Sequence, residues 1–494
     1  MLLAMAGIVA GCSSGGGGGG DANQAPSSPA GVLATATSDD TIQVSFQAAT
    51  DDGGVAEYRI HRYGEEVGET EGTTYDDTGL VFGTAFCYTV TAVDGDGVES
   101  APSTEVCATT QQAPSGTIAT WAGDGTQGYD GDGNLLSKSY FDQPMEMSFD
   151  FSGTAYVVDW NSHRIRRVVS GRLETVIGSD LPGDWPCQEP ADPSNCEVPL
   201  TDPLDSTLLP MNHPMDITFG HHSAVAYVAA WHNHKMQRYD SAAGQVTILA
   251  GQQAVGFSGD GGAASLAKLN FPSSVVIDVN ENLLFSDERN NRIRRIDTGG
   301  IITTVAGISN VSAYAGDGGA STAANLALQP YINTSDPNPP PGGGLALGLD
   351  GTLYVADTFN HCIRMISPGA DGVIGSGDTE AITTLSGSCG NGNEGYSGDG
   401  GPAAAATFGA PFDLDFGPEG DLYVADTGNH AVRAINLTTG IIRTVAGTGV
   451  AGFSGDDGPA TSAQFKSPYG IAFDATGNLY VVDTFNNRIR IIAK

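Results

Sequence analysis

An acidic, glycine-rich loop that occurs five times is the first candidate for chemistry in this chain. Each copy follows the pattern G-[FY]-x-G-D-G or a close variant, so that one aromatic residue and one aspartate lie among glycines. The five aspartates are Asp132, Asp260, Asp317, Asp399 and Asp456. If the copies surround one mouth of a closed fold, their carboxylates form a ring that could bind Ca²⁺ or a cationic ligand. The loops lack the length of an EF-hand, so the sequence predicts calcium only weakly.

The same loops also have a structural interpretation. Glycine supplies the positive φ angles, the aromatic side chain packs under the loop, and each aspartate caps a short helical turn.

A second aspartate recurs directly after a hydrophobic run. Its copies are Asp159, Asp287, Asp357, Asp426 and Asp483, and Ala230 takes the place in a sixth copy. A catalytic residue would occur once, whereas a turn residue recurs with its turn. We therefore expect these aspartates to accept backbone N–H groups and to close an Asx-type turn.

Histidine and asparagine share one position of the repeat. The six residues are His163, His234, His361, His430, Asn291 and Asn487. This exchange predicts a common turn or hydrogen-bonding role. An alternative is a transition-metal site in the second copy, because neutral imidazole is a good ligand. The candidate ligands there are His213, His221, His222, His232 and His234, whose irregular spacing favours the structural role.

The charged residues restrict the partners. The chain has 57 Asp and Glu against 21 Lys and Arg, a formal net charge of −36. Such a surface repels phosphate backbones, so we expect no nucleic-acid partner. Three arginine pairs alternate around an isoleucine and are expected to face outward and pair with acids: Arg164/Arg166, Arg292/Arg294 and Arg488/Arg490.

These residues lie in a long internal repeat. LYVADTFNHCIRMI at 353–366 returns at 422–435 and 479–492, with looser copies at 155–168, 226–239 and 283–296. Alternating apolar and polar residues in short runs predict four strands per copy. Six copies of four strands predict a six-bladed β-propeller over residues 117–494. The segment 117–123 matches a fourth strand, whereas the chain ends on a third, so an N-terminal strand is expected to close the ring.

The repeat resembles the NHL repeat, especially the variant with GFSGDGGPA before the first strand, found in bacterial surface proteins and teneurins. The resemblance implies a scaffold that binds protein or glycan. Six-bladed relatives of this fold also include lactonases and lyases with a divalent metal on the axis. That alternative requires unlike metal ligands from different blades, and we identify no such set in the sequence.

Residues 28–110 form a separate unit, joined to the repeats by a linker at 111–116. Alternation in TIQVSFQA (41–48), AEYRIHRY (56–63) and FCYTVTAVD (86–94) predicts an all-β, Ig-like sandwich. The order of strands resembles a fibronectin type III domain, with Phe46 where that family commonly has Trp. The resemblance implies a spacer or adhesion module.

The first residues resemble the signal of a bacterial lipoprotein. An apolar stretch ends in Val9-Ala10-Gly11-Cys12, which matches a lipobox, although no Lys or Arg precedes it. The resemblance implies a signal and lipobox at 1–12, lipidation of Cys12 and, since Ser13 follows, an outer-membrane or surface location. Residues 13–27 are rich in Gly and Ser and predict a flexible tether. A plain cleaved secretory signal is the alternative.

The other six cysteines are an even number in a chain expected to be exported. They form three local pairs: Cys87 and Cys107, Cys187 and Cys196, and Cys362 and Cys389. Disulfides between these neighbours are the simplest expectation. Together these features predict a lipid-anchored surface protein, without a cofactor, whose propeller binds protein or glycan. The alternative is a propeller enzyme with an axial metal.

Overall fold

The computed structural model describes residues 23–179, 203–221, 224–252, 254–330, 340–375 and 380–494. The chain divides into two compact units, Met1–Leu80 with Thr84–Gln111, and Val81–Gly83 with Gln112–Lys494. Both are built from antiparallel strands, and the described residues contain short 3₁₀ turns but no α-helix. Within them, no helix is long and apolar enough to cross a membrane.

The first unit contains a three-stranded sheet, ordered β1-β2-β5, and a four-stranded sheet, ordered β4-β3-β6-β7. Alternation buries Ile42, Val44 and Phe46 on one face of β2, where the Phe46 ring lies 4.7 Å from that of Tyr58. The strands are β1 (Ala30–Ala36), β2 (Thr41–Gln47), β3 (Val55–Arg62), β4 (Glu65–Thr70), β5 (Thr74–Thr78), β6 (Ala85–Asp94) and β7 (Val106–Thr109).

The second unit contains six antiparallel sheets, here called sheets I to VI. Sheet I consists of β9 (Pro144–Phe149), β10 (Ala155–Asp159), β11 (Arg164–Val169) and β12 (Arg172–Ile177). Sheet II consists of β13 (Leu204–Asp205), β14 (Pro214–Phe219), β15 (Val225–Ala230), β16 (Lys235–Asp240) and β17 (Gln245–Ala250). Sheet III consists of β18 (Gly262–Ala263), β19 (Pro272–Ile277), β20 (Leu283–Asp287), β21 (Arg292–Ile296) and β22 (Ile301–Ala306).

The remaining three sheets repeat this order of strands. Sheet IV consists of β23 (Leu345–Leu347), β24 (Leu353–Asp357), β25 (Cys362–Ser367) and β26 (Ala381–Ser386). Sheet V consists of β27 (Leu414–Phe416), β28 (Leu422–Asp426), β29 (Ala431–Asn436) and β30 (Ile441–Ala446). Sheet VI consists of β8 (Thr117–Ala122), β31 (Gly458–Pro459), β32 (Ile471–Phe473), β33 (Leu479–Asp483) and β34 (Arg488–Ile492).

Sheet VI joins the two ends of the second unit. The early strand β8 pairs antiparallel with the last strand β34, with Ile118 opposite Ile492. Trp121 of β8 also packs edge-on against Tyr480, with ring centroids 5.2 Å apart. The predicted pairing of the N-terminal segment with the last repeat is confirmed, and it removes two open strand edges.

Short 3₁₀ turns recur at two places in the repeat. One set precedes the first long strand of each sheet and comprises Leu136–Lys138, Ser206–Leu208, Ala264–Leu266, Ser321–Ala323, Ala403–Ala405 and Ala460–Ser462. The other set follows the repeated aspartate and comprises Glu288–Asn290, Thr358–Asn360, Thr427–Asn429 and Thr484–Asn486.

Successive sheets pack through one repeated contact. An aromatic side chain on the second long strand of one sheet lies against the end of the first long strand of the next. The ring centroids are 4.6 Å apart in Tyr156–Phe219, 5.5 Å in Tyr354–Phe416 and 4.8 Å in Tyr423–Phe473. Tyr480 of sheet VI makes the same contact to Phe149 of sheet I at 5.1 Å. This all-β arrangement is that of a β-propeller.

Two of the predicted disulfides are confirmed. Cys87 and Cys107 are bonded across β6 and β7, and Cys362 is bonded to Cys389. Cys187, Cys196 and the proposed lipidation site Cys12 lie outside the described residues.

Candidate functional site

The prediction of outward-facing arginines is wrong for Arg164, which is 6% exposed, and for the second arginine of the repeat, which is buried. Five such side chains have no exposed surface: Arg166, Arg294, Arg364, Arg433 and Arg490. The isoleucines beside them, such as Ile293, are also fully buried. Because each sheet is packed between two others, the third long strand has no solvent-exposed face.

Each buried arginine lies between the two repeated aspartates, and we call this group the Asp–Arg–Asp unit. In sheet IV, Arg364 Nη1 is 3.1 Å from Asp357 Oδ2, and Arg364 Nη2 is 2.5 Å from Asp317 Oδ1. The other units are Asp159–Arg166–Asp132, Asp287–Arg294–Asp260, Asp426–Arg433–Asp399 and Asp483–Arg490–Asp456. The predicted pairing with acids is therefore confirmed, in the interior.

The loop aspartates do not cap the 3₁₀ turns, contrary to the structural interpretation given above. The residues at the N-caps of these turns, such as Ala263 and Pro402, make no capping side-chain hydrogen bond. Instead Asp260 and Asp399 accept from their arginines and from a threonine of the same sheet, 2.7 Å from Thr304 Oγ1 to Asp260 and 2.6 Å from Thr444 Oγ1 to Asp399. The carboxylate completes the charge balance of a buried arginine.

The loop aromatics cover the arginines rather than packing beneath their loops. They remain 37 to 42% exposed: Tyr129, Phe257, Tyr314, Tyr396 and Phe453. Arg294 lies 4.7 Å from the Phe257 ring centroid and Arg490 lies 4.9 Å from that of Phe453. Such cation–π contacts stabilise a guanidinium that is shielded from water.

The strand-end aspartates accept backbone N–H groups, as predicted, but not from a local turn. Asp357 Oδ1 accepts from Ala327 at 2.7 Å, and Asp426 Oδ1 accepts from Gly409 at 2.7 Å. These donors lie at least 17 residues earlier in the chain. Burial raises the pKa of Asp426 and Asp287 to about 6, although their arginines act in the opposite direction.

Sheet II lacks both buried members of the unit. Ala230 and Gln237 occupy the positions of the aspartate and the arginine. The amide oxygen of Asn233 accepts from the Asn212 N–H at 2.9 Å, a bond that the aspartate makes in other sheets. The buried aspartate and arginine are thus absent together from sheet II, and Asn233 accepts the N–H that an aspartate accepts in the other sheets.

The predicted hydrogen-bonding role of the shared His/Asn position is confirmed. All six residues have a left-handed backbone, and each side chain accepts the N–H of a residue in the segment that precedes the first long strand of the next sheet. His430 Nδ1 accepts from Ser467 at 3.1 Å, and Asn487 Oδ1 of sheet VI accepts from Gln143 of sheet I at 3.0 Å. The others are His163 to His213, His234 to Phe271, Asn291 to Leu328 and His361 to Ala410.

The histidines of sheet II do not form a metal site as placed. His213 and His232 face each other with 2.7 Å between their Nδ1 atoms, and His213 Nε2 lies 3.2 Å from Asn161 Oδ1. Over the described ranges, the only three His, Cys, Asp or Glu side chains with ligand atoms within 4.8 Å of one another are Cys87, Glu105 and Cys107. Two of those form a disulfide. His222 lies outside these ranges.

A cavity of about 390 Å³ is lined by the first long strand of every sheet. We call it the central cavity; its lining segments are Glu146–Phe149, Asp216–Phe219, Val275–Ile277, Leu345–Leu347, Asp413–Phe416 and Ile471–Phe473, with His221. The residues directly before several of these segments pack into one buried cluster, which includes Met145, Met215, Phe412 and Tyr469. In the chain, Met145, Met215 and Phe412 directly precede Glu146, Asp216 and Asp413.

The lining is not repeated from sheet to sheet. One position holds Glu146, Asp216 and Asp413 in sheets I, II and V, but Ser274, Gly344 and Gly470 in the other three. A fourth carboxyl group, that of Asp415, lines the cavity two residues further along β27. These four carboxyl groups are unlike residues contributed by different sheets, which is the kind of set that was not identified in the sequence. Aligning the first strands of the six repeats, rather than the second and third, would have revealed it.

Neighbouring sheets hold these carboxyl groups in place. Asp216 Oδ2 accepts from the Val275 N–H at 2.7 Å, and Asp413 Oδ2 accepts from the Ile471 N–H at 2.8 Å. A Cβ atom at Gly470 would lie 2.8 Å from Glu146 Oε2, so a side chain there would displace the glutamate. The absence of a side chain on sheet VI makes room for the carboxyl group of sheet I.

Burial raises the pKa of every carboxyl group in the central cavity. The pKa of Asp216 rises to about 6 and that of Asp415 to about 7. The pKa values of Glu146 and Asp413 lie well above their usual range, because burial is reinforced by the other carboxyl groups. Such perturbed groups in a cavity are characteristic of functional sites.

The loop aspartates proposed as ligands lie elsewhere. None of Asp132, Asp260, Asp317, Asp399 and Asp456 is among the residues that line the central cavity. Each belongs to a different sheet and is bonded to an arginine or threonine of that sheet. A ligand-binding role for them stays a prediction.

Comparisons with known proteins show the fold and only partial relatives. No known protein-family model matches the chain. It is 28% identical over 286 residues to the protein SUPPRESSOR OF QUENCHING 1, chloroplastic, of Arabidopsis thaliana, which covers 57% of this chain and 25% of that protein. Human teneurin-4 is 28% identical over 264 residues, 48% of this chain and 8% of teneurin-4. The chain therefore spans a quarter or less of these relatives.

A shorter match and two solved structures complete the comparison. A poly(3-hydroxybutyrate) depolymerase of Ralstonia pickettii is 42% identical over 90 residues, 18% of either protein. A structural-genomics protein of unknown function from Bacteroides thetaiotaomicron matches 96% of this chain and 99% of its own, with a TM-score of 0.53 and 18% identity. An auxiliary nutrient binding protein of the same organism matches 95% and 98%, with a TM-score of 0.51 and 16% identity. These two structures share the fold.

Proposed function

We propose that this is an extracytoplasmic binding protein whose six sheets are the blades of a closed propeller and whose central cavity receives part of a protein or glycan ligand. The single observation that carries the proposal is the cavity lining. In a molecule built from near-identical repeats, three carboxyl groups share one position of the repeat, and the other sheets lack them. Repeated residues are explained by the scaffold that they build. Unlike residues that line one cavity require another explanation.

The size and chemistry of the cavity suit ligand binding. A volume of about 390 Å³ lies within the range of small-molecule sites, which combine apolar walls with a few polar groups. Here the walls include Phe149, Phe219 and Phe416, and the polar groups include four carboxyl groups. One structure that shares the fold carries the name of a nutrient binding protein, which is consistent with such a role.

The proposed location outside the cytoplasm rests on the disulfides. Two disulfides support an oxidising compartment outside the cytoplasm. We propose that Cys12 is lipidated, that residues 13–27 tether the protein to the outer membrane, and that the first unit is a fibronectin type III-like spacer. Mass spectrometry of the mature protein tests the anchor: an acylated N-terminal Cys12 supports it, and an unmodified cleavage product contradicts it.

Two experiments test the proposed function: a glycan array, and a pull-down of surface proteins from cells that live beside the source organism. The mature chain is compared with Asp415→Asn in the cavity and with Asp132→Asn in an outer loop, which makes the same change of charge. We expect a ligand whose binding is lost with Asp415→Asn and kept with Asp132→Asn. The reverse pattern would transfer the site to the loop aspartates.

The alternative of a metal-dependent propeller enzyme rests on the same three carboxyl groups. Glu146, Asp216 and Asp413 come from different sheets, as axial ligands would. The three groups do not all bring an oxygen within 4.8 Å of one another, however, so the residues as placed do not fit an ion shared by all three. Metal analysis of chelator-free protein decides this point, since one stoichiometric divalent metal, lost in Glu146→Gln, would favour the enzyme.

A further inference from the structure

The carboxyl groups of the central cavity are buried without a counter-charge. Glu146 is 6% exposed and Asp413 is 9% exposed, and both line the cavity. Across the described part of the chain, no lysine, arginine or histidine lies within ion-pair distance of these two groups or of Asp216 and Asp415. Among the lining residues the only basic side chain is His221, which bonds to the Asp278 carbonyl at 3.2 Å.

The same protein pairs five of its other fully buried carboxylates with arginine, whereas a sixth, Glu288, accepts a hydrogen bond from the Trp231 indole at 2.7 Å. Asp159, Asp287, Asp357, Asp426 and Asp483 have no exposed surface, and each belongs to an Asp–Arg–Asp unit. Burial of an unpaired charge costs several kcal/mol, so native proteins pair or neutralise such groups. The cavity therefore departs from the arginine pairing that the unit uses for five of its buried carboxylates.

The four carboxyl groups lie at two levels along the cavity wall. Glu146, Asp216 and Asp413 occupy one level, each directly after a residue of the buried Met and aromatic cluster. Asp415 is two residues further along β27, about 7 Å away at the usual strand rise and on the same face. A short linear diamine has its two nitrogens at a similar spacing, and a cavity of about 390 Å³ accommodates it.

We propose that the central cavity binds a primary ammonium group, and in its most complete form a short diammonium ligand, with one nitrogen at the Glu146–Asp216–Asp413 level and the other at Asp415. The inference rests on the proposed function, because it names the chemistry that the same cavity recognises. Each ammonium supplies the counter-charge that the protein omits, and the methylene chain contacts the apolar walls. The charge of −36 over the whole chain attracts such cations from solution.

Isothermal titration calorimetry of the mature chain with three probes that share a four-carbon chain tests the proposal. The probes are 1,4-diaminobutane, n-butylamine and 1,4-butanediol. We expect the diamine to bind at least about tenfold more tightly than the monoamine, and the diol to show no measurable binding. Equal binding of the diol, or no binding of either amine, would overturn the inference.

Variants locate the binding in the cavity. Asp415→Asn is expected to weaken the diamine about tenfold and the monoamine much less, since only the second ammonium loses its partner. Glu146→Gln should weaken both. Asp457→Asn, at an exposed position outside the cavity, is the matched control and should change neither. Each variant is accepted after its thermal transition and circular dichroism match the wild-type protein. An equal loss in the control would assign the effect to general surface charge.

The two proposals fail in different ways. If the array identifies a neutral ligand that depends on Asp415 while no amine binds, the proposed function stands and the ammonium chemistry is wrong. If amines and array ligands all bind independently of Asp415 and Glu146, the central cavity is not the binding site and both are wrong.

Discussion

Replacing the buried aspartate and arginine of sheet IV, singly and together, tests the Asp–Arg–Asp unit most sharply. Sheet II already has both replacements. The changes are Asp357→Ala, Arg364→Gln and their combination, which reproduce Ala230 and Gln237. Arg364→Gln leaves a carboxylate with no exposed surface without its cation. Removal of one partner of a buried pair typically costs about 3–5 kcal/mol of folding free energy.

The double variant should lose far less than the sum of the single losses. Both charges of the buried pair are gone, and Asp317, which is 36% exposed, is solvated by water. The Ala327 N–H loses its acceptor, an expected cost of about 1–3 kcal/mol. Asn360 can recover part of this loss by turning its oxygen toward Ala327, as Asn233 accepts from Asn212 in sheet II. We therefore expect a coupling energy of at least about 2 kcal/mol.

Equilibrium urea unfolding, followed by near-UV circular dichroism, measures the free energies, and amide exchange at Ala327 gives a local readout. Exchange should be fastest in Asp357→Ala and slower in the double variant. Gln237→Arg in sheet II is the reciprocal control and should destabilise, because it adds a buried charge in a sheet where Ala230 takes the place of the strand-end aspartate. Additive single effects within about 0.5 kcal/mol would refute the reasoning, since independent groups add.

Three further predictions concern the contacts between repeats. His430→Asn should retain stability to within about 1 kcal/mol in urea unfolding, whereas His430→Ala should lose about 1–3 kcal/mol because the Ser467 N–H then lacks its acceptor; equal losses would contradict this. Burial holds the pKa of His234 at about 3, below its usual 6.5, so its stabilising contribution is present above pH 6.5 and is lost as the pH falls. The wild-type free energy of unfolding should therefore fall more between pH 7.5 and 5.0 than that of His234→Asn, and a parallel fall would refute the assignment. Replacing Cys362 and Cys389 together by Ser should cost about 3–4 kcal/mol by loop-closure entropy, and an unchanged unfolding midpoint would contradict a structural disulfide.

The sequence predicted the repeated features well because repetition makes them visible. The all-β class, the pairing of β8 with β34 and the hydrogen-bonding role of the His/Asn position all follow from comparing copies. Local spacing was enough to pair Cys87 with Cys107 and Cys362 with Cys389.

The error about the arginines has a physical origin. Alternation within a strand was interpreted as one buried and one solvated face, whereas a strand in a stacked sheet is buried on both. Arg294 and Ile293 are adjacent in β21, and neither has exposed surface. The arginine pattern could not reveal that its acid partners lie in a loop 34 residues away, as Asp260 does.

The central carboxyl groups were missed for the opposite reason. They lie on the first long strand, the least repetitive part of each copy, where Glu146, Ser274 and Gly470 occupy one position. Only the fold shows that these strands line one cavity. The buried cluster with Met145 and Phe412 likewise joins residues that are far apart in the chain.

Binding by Asp415→Asn and Asp132→Asn, side by side with the wild-type protein, tests the central claim most directly. The measurement is the dissociation constant for the strongest ligand from the array or the diamine series. The cavity assignment predicts at least about a tenfold loss with Asp415→Asn and wild-type affinity with Asp132→Asn. Wild-type affinity with Asp415→Asn, together with loss in Asp132→Asn, would contradict it and place recognition in the outer loops.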